Sequence, residues 1–121
     1  MAEILVVEDD EPLRSRISGA LVGAGHHVEE APGGNRALAC LKAKRFDLLL
    51  TDLMMEGGTG FDVLEWVREN APGLPVLVCS SYAKPETLKA LLTTQFYRVV
   101  RKPVRPEALV EHVRDLLDQA S

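Results

Sequence analysis

Acidic and hydroxyl side chains and one lysine follow short apolar segments of this chain, and these residue types suit phosphoryl chemistry. The segment ILVV precedes Glu8, Asp9 and Asp10, DLLLT precedes Asp52, VLVC precedes Ser80 and Ser81, and VVR precedes Lys102. If the segments are parallel strands, these side chains meet outside the carboxyl edge of one sheet. Clustered carboxylates oppose one another's ionisation, and a hard divalent cation relieves that repulsion by binding their oxygens. The pattern therefore predicts a magnesium and phosphoryl site built around an aspartate.

The elements that position these residues alternate between short apolar segments and segments of helical periodicity, as in an α/β protein with a parallel sheet. The run of apolar residues in 46–51 indicates a strand that is buried on both faces. We predict strands at 3–7, 27–30, 46–51, 76–79 and 97–100. We predict helices from near Pro12 to Gly25 and at 35–43, 60–70, 84–92 and 106–119.

Bulk properties place the chain among ordinary globular proteins. Its 121 residues fit one domain, with 46% hydrophobic and 26% charged residues. Because there is no apolar stretch of membrane-spanning length and no basic region typical of a signal peptide at the start, we expect a cytoplasmic protein. Cys40 and Cys79 are predicted to be reduced thiols, since no histidine lies at metal-ligand spacing from either.

Basic residues are concentrated between positions 84 and 105, where six bases accompany Glu86 as the single acid. Solvated helix faces explain most such runs. The alternative is a basic face for an acidic partner.

Over its whole length the chain resembles a response-regulator receiver domain of two-component signalling, of the type found in chemotaxis regulators. The matching motifs are VVEDD at 6–10, LLLTDLMM at 48–55, Gly60 eight residues after Asp52, VLVCSS at 76–81 and RKP at 101–103. An acidic pair after one strand is a weak signal, but all of these motifs in order and at the family's spacing are specific. The resemblance implies a single receiver domain, 1–121, with a flavodoxin-like doubly wound (βα)5 fold. Its five-stranded parallel sheet would have the order 2-1-3-4-5, with helices on both faces.

The resemblance also implies a role for each site residue. Asp52 would be the phosphoacceptor, and Ser80 and Lys102 would contact the phosphoryl group. The expected Mg²⁺ ligands are Asp9, Asp10, Asp52 and the backbone carbonyl of Met54. The peptide bond before Pro103 would be cis. Of the acidic triplet, Glu8 is the member expected to lie outside the site.

Elementary chemistry agrees with these roles. A carboxylate can attack phosphorus as a nucleophile and form an acyl phosphate. Phosphoryl transfer needs positioning and charge neutralisation more than covalent chemistry. Mg²⁺ bridges carboxylate and phosphoryl oxygens, while the Lys102 ammonium and the Ser80 hydroxyl can each donate to a further phosphoryl oxygen.

Four residues depart from the family's pattern or add to it, and we predict that they modulate the site. Glu56 stands where a proline is usual and adds a carboxylate near the metal. Tyr82 is expected to overhang Asp52 and slow the loss of phosphate. Val99 stands where the family has an aromatic switch residue. Either Tyr97, on the same strand face by alternation, partly substitutes for that aromatic, or switching relies on Ser80 and the loop after it.

A further departure is Arg98, which replaces an acid used in the dimer face of one large subfamily. Dimerisation through that face is therefore not expected here.

The function implied by the resemblance is a signalling switch and not a turnover enzyme. A sensor histidine kinase or a phosphotransfer protein would phosphorylate Asp52 and thereby change the surface around the fourth helix and fifth strand. The downstream partner is open, and neither membrane nor nucleic acid is expected to contact this domain itself. One alternative is a degenerate pseudo-receiver that acts as a phosphorylation-independent interaction module. The other, a phosphatase or phosphotransferase with an aspartyl intermediate, would need a second acid at the position of Met54 and a cap domain.

Overall fold

The structure, a computed structural model, describes residues 1–55, 59–81 and 96–120. Within these ranges the chain forms five strands and four helices. The strands are β1 (Glu3–Val7), β2 (His27–Ala31), β3 (Leu48–Thr51), β4 (Val76–Ser80) and β5 (Tyr97–Arg101). The helices are α1 (Glu11–Gly23), α2 (Gly34–Ala43), α3 (Gly60–Asn70) and the C-terminal helix (Pro106–Ala120).

All neighbouring strands pair in parallel, and their order in the sheet is β2-β1-β3-β4-β5. The order 2-1-3-4-5 and the flavodoxin-like fold class are thus confirmed. β1, β3 and β4 are buried along nearly their whole length, as the apolar run in the third strand predicts for a sheet that is covered on both faces.

Two hydrophobic clusters form the core, one on each face of the sheet. Alternate residues of the strands supply both clusters: Leu5 and Leu49 belong to the first, and Ile4 and Leu48 to the second. Helices α2 and α3 cover the first face, while α1 and the C-terminal helix cover the second. Because the strands run parallel, the residues that follow β1, β3 and β5 lie at the same edge of this sheet.

β3 begins at Leu48 and not at position 46, so the predicted strand is two residues too long at its start. Asp47 instead forms two hydrogen bonds with Glu3. Its backbone N–H donates to the Glu3 carbonyl, and its side-chain Oδ2 accepts from the Glu3 N–H at 2.7 Å. This reciprocal pair anchors the beginning of β1 to the segment before β3.

The end of α1 agrees with the expected glycine signal. Gly25 has φ of 98°, a conformation that favours glycine, two residues after the last helical residue.

The predicted helix at 84–92 and the residues Glu56 and Tyr82 lie outside the described residues. Among the residues that are described, none of the helices has the length and apolar character needed to cross a bilayer.

Candidate functional site

The parallel sheet brings residues far apart in the chain to its carboxyl edge. The Asp52 N–H donates to the Val7 carbonyl at 3.1 Å, and the Lys102 N–H donates to the Ser80 carbonyl at 3.1 Å. These bonds place the residues that follow β3 and β5 beside the ends of β1 and β4. Glu8, at the end of β1, and Lys102 are 94 positions apart in sequence, yet their side chains are in contact.

Lys102 bridges two buried carboxylates. Its Nζ lies 2.7 Å from Asp52 Oδ2 and 2.5 Å from Glu8 Oε1. The side chains of Asp52 and Glu8 are only 9% and 3% exposed, so this ammonium offsets charge that water hardly reaches. The site is therefore held together by one cation between two acids, both at strand ends.

The pKa values of Lys102 and Glu8 are shifted by burial and by their mutual contact. Burial lowers the pKa of Lys102, but the hydrogen bonds and charges of Asp52 and Glu8 outweigh it and raise that pKa above its ordinary value. Burial raises the pKa of Glu8, and the hydrogen bond and charge of Lys102 counteract only part of that effect. Lys102 is thus a permanent cation at neutral pH.

The backbone around Asp52 is closely confined. Its Oδ1 accepts a hydrogen bond from the Leu53 N–H at 2.6 Å, and its carbonyl accepts one from Thr51 Oγ1 at 2.8 Å. A Cβ added at Gly60 would lie 2.0 Å from the Asp52 carbonyl oxygen, so α3 can approach only because this residue is glycine. These contacts fix both the main chain and the carboxylate plane of Asp52.

Carboxylate oxygens of Glu8, Asp9 and Asp52 lie within 4.8 Å of one another. Three hard oxygen donors around one small volume are the ligand type that Mg²⁺ prefers. The donor set thus fits a divalent cation.

This trio differs from the sequence interpretation, which placed Asp9 and Asp10 in the site and Glu8 outside it, and the set of side chains that binds Mg²⁺ stays a prediction. Asp10 is instead the N-cap of α1, where its Oδ1 accepts from the Leu13 N–H at 3.3 Å. Its own N–H donates to Glu8 Oε2 at 3.2 Å. A sequence signal for this assignment exists, because an aspartate directly before an acidic first turn with an early proline is a strong cap pattern.

The remaining predicted residues are placed as follows. Ser80 is buried at the end of β4, whereas Ser81 is exposed. The Met54 side chain is exposed two residues after Asp52. The peptide bond between Lys102 and Pro103 is cis, the isomer that the family resemblance implies.

β5 presents two different faces. Tyr97 and Val99 lie on its more exposed face, at 38% and 37% exposure. Arg98 points to the other side, where its Nη1 lies 3.0 Å from His112 Nδ1 and 3.3 Å from Asp115 Oδ2. Sequence reasoning identified Arg98 as unusual but did not foresee that it ties β5 to the C-terminal helix.

The model of the response regulator receiver domain matches residues 4–114 of the chain. The chain belongs to this family. The receiver domain is 35% identical over 114 residues to the probable transcriptional regulatory protein TcrX of Mycobacterium tuberculosis, covering 94% of this chain and 49% of TcrX. It is 34% identical to an uncharacterized 14.6 kDa protein of Leptolyngbya boryana, covering 93% of this chain and 87% of that protein.

Solved structures agree with the family. A CheY-like receiver domain protein from Methanospirillum hungatei superposes with a TM-score of 0.89 at 27% identity, covering 99% of this chain and 96% of that one. The chemotaxis protein CheY4 of Vibrio cholerae gives 0.84 at 30% identity, covering 96% and 98%. The receiver domain spans about half of TcrX and about a quarter of another curated relative, the transcriptional regulatory protein GlrR of Escherichia coli.

Proposed function

We propose that this receiver domain is a Mg²⁺-dependent phosphoacceptor switch in which Asp52 takes a phosphoryl group from a histidine kinase or a phosphotransfer protein. The observation that carries the proposal is the position of the Asp52 carboxylate, which contacts the Lys102 ammonium and lies within a cluster of acidic oxygens. A structural salt bridge would need one acid and one base. Two acids added around such a pair, with Glu8 buried, are costly unless they serve a bound cation.

The reaction requires little covalent chemistry from the protein. A carboxylate oxygen of Asp52 forms a bond to phosphorus while the bond from phosphorus to the donor's nitrogen or oxygen breaks, giving an acyl phosphate. The Leu53 N–H holds one oxygen of Asp52, and Lys102 supplies positive charge beside the other. Confinement of the Asp52 backbone by Gly60 and Thr51 limits reorientation during the transfer.

Glu8, Asp9 and Asp52 are the side chains that would hold Mg²⁺, with the Met54 carbonyl as the further ligand implied by the family. When bound, the cation neutralises charge on the transferred phosphoryl group. Ser80, buried at the end of the neighbouring strand, remains the predicted hydroxyl donor to that group.

The new phosphoryl group adds about −1.5 to −2 charge at the edge of the sheet. We infer that Lys102 and Ser80 move toward it and thereby bias the surface near β5 and the predicted helix at 84–92 between two states. The alternative of a degenerate pseudo-receiver is disfavoured by the intact contact between Asp52 and Lys102.

The test is incubation with Mg²⁺ and a small phosphodonor, followed by intact mass measurement. We expect one added phosphoryl group in the wild type and none in Asp52→Asn or in excess chelator. Asp47→Asn is the matched control, because Asp47 lies exposed at the opposite edge of the sheet and should leave the modification intact. An unmodified wild type, or a modification that survives in Asp52→Asn, would contradict the proposal.

A further inference from the structure

The turn between β1 and α1 carries both Glu8 and Asp9, so its backbone determines where two of the three clustered carboxylates lie. Arg14, on the first turns of α1, reaches back to this segment. Its Nη1 donates to the Glu8 carbonyl at 2.9 Å, and its Nε donates to Glu30 Oε1 at 3.0 Å. The Arg14 side chain is only 15% exposed, whereas that of Glu30 is 43% exposed.

The Glu8 carbonyl belongs to the peptide unit that joins Glu8 to Asp9. The orientation of this peptide unit therefore fixes the position of the Asp9 Cα, to which the carboxylate side chain is attached. On the other side of Glu8, its N–H donates to the Ala31 carbonyl at the end of β2. Arg14 and Ala31 together hold Glu8 at both of its backbone polar groups. Because Glu8 is 2% exposed, water cannot readily replace either partner.

The guanidinium suits this task because its donors form a rigid fork. One arm engages the Glu8 carbonyl while the other is oriented by the Glu30 carboxylate on β2. The structure thus connects a half-exposed acid on the edge strand, through one arginine, to the backbone of the acidic cluster.

We propose that Arg14, oriented by Glu30, is a positioning residue that sets the geometry of Glu8 and Asp9 for a divalent cation. This inference rests on the proposed Mg²⁺-dependent function of the same site. Charge alone leads to the opposite expectation, since removing a cation near an acidic cluster strengthens the binding of Mg²⁺. The sign of the effect therefore separates positioning from electrostatics.

The experiment is calorimetric titration of Mg²⁺ into the wild type, Arg14→Gln and Arg16→Gln. Arg16 is the matched control, because it is an exposed arginine on the same helix and its replacement removes the same charge. We expect Arg14→Gln to bind Mg²⁺ about tenfold more weakly, as is typical when a partner that orients metal ligands is lost. Arg16→Gln should bind with unchanged or slightly higher affinity.

A third variant, Arg14→Lys, keeps the charge and guards against misfolding. A single ammonium lacks the fork that reaches both partners, so we expect Arg14→Lys to lose affinity as well. Urea denaturation without Mg²⁺ verifies that each variant is folded. Affinity in Arg14→Gln equal to or above that of the wild type overturns the inference, and so does wild-type affinity in Arg14→Lys. A wild type that binds no Mg²⁺ instead refutes the proposed function itself.

The role of Glu30 is tested by a double-mutant cycle. If Glu30 acts through Arg14, Glu30→Gln weakens Mg²⁺ binding in the wild type but has no further effect in Arg14→Gln. Additive effects of the two substitutions would show that Glu30 acts by its own charge and would remove it from the proposal.

Discussion

Lys102 neutralises two acids, Glu8 and Asp52, that have little access to water. Removing one partner from such a buried group costs about 3–5 kcal/mol, because the remaining charges are left uncompensated. The lysine therefore links the charge balance of the buried edge to the proposed function, because the ammonium that offsets the charge of Asp52 would also attract a phosphoryl group at that carboxylate.

Replacement of Gly60 tests whether the close approach of α3 to the Asp52 backbone requires glycine, apart from the ordinary effect of glycine on helix propensity. In Gly60→Ala the added Cβ would collide with the Asp52 carbonyl, so we expect a loss of about 1–3 kcal/mol in the free energy of unfolding and less phosphorylation of Asp52. Urea denaturation and phosphodonor labelling measure the two effects.

The matched control is Gly19→Ala, in the middle of α1. A Cβ at Gly19 would meet no atom within 4 Å, so alanine should stabilise the protein by about 1 kcal/mol through its higher helix propensity. Changes of the same sign at both positions would contradict the role assigned to Gly60.

Among the elements, the start of α1 decides how the acidic triplet is used. β1 ends at Val7 and α1 begins at Glu11, which leaves three residues for the turn. The last of them must satisfy the free N–H groups of the helix. Asp10 does so, and the two acids before it are left to face Asp52.

We predict different phenotypes for Asp10 and Asp9. Asp10→Ala should reduce the free energy of unfolding by about 1 kcal/mol, and Asp10→Ser should recover most of it, because serine also caps a helix. Asp9→Asn should instead weaken Mg²⁺ binding with a smaller effect on stability. Urea denaturation and calorimetry on the same variants supply both quantities. A greater loss of Mg²⁺ affinity in Asp10→Ala than in Asp9→Asn would return Asp10 to the metal site.

β5 and the C-terminal helix are joined by Arg98, which contacts Asp115 and His112 within the same chain. Through its Nη1 atom, Arg98 thus connects the fifth strand to the C-terminal helix of the same chain. The expectation that the salt-bridged dimer face of the large subfamily is not used here stays a prediction.

At the scale of the whole molecule, the two edges of the sheet differ in chemistry. The carboxyl edge carries the acidic cluster and Lys102. At the amino edge, His26 Nδ1 accepts a hydrogen bond from the Ala2 N–H at 3.3 Å. Burial, and secondarily the charge of the chain's amino terminus, lower the pKa of His26.

This shift predicts how global stability depends on pH. A histidine with a lowered pKa in the folded state favours folding while it is neutral, so its contribution is complete above about 6.5 and is lost as the pH falls through the folded value. The stability advantage of the wild type over His26→Gln in the free energy of unfolding should therefore decrease between pH 7.5 and pH 5.5. Chemical denaturation of both proteins across this range measures that difference. His27→Gln is the control at the exposed neighbour, and an equal decrease of the difference there would contradict the assignment to His26.

Much of the fold was predictable because it depends on local patterns. The alternation of apolar and helical segments, together with Gly25 at the end of a helix, predicts the α/β fold class. The motifs of the family predict the strand order by resemblance. The start of β3 was misplaced, since the bonds of Asp47 to Glu3 join residues 44 positions apart. No local pattern contains such a contact.

The sequence by itself determined which residue types lie at the carboxyl edge, because any parallel arrangement of these strands places Asp52, Lys102 and the acidic triplet at that edge of the sheet. Only the tertiary structure decided that Glu8 and Asp9, and not Asp10, face Asp52. The direction of each carboxylate depends on where α1 begins and on which distant groups hold the turn. Arg14 and Glu30 are 16 positions apart, and their contact exists only once β2 lies beside β1.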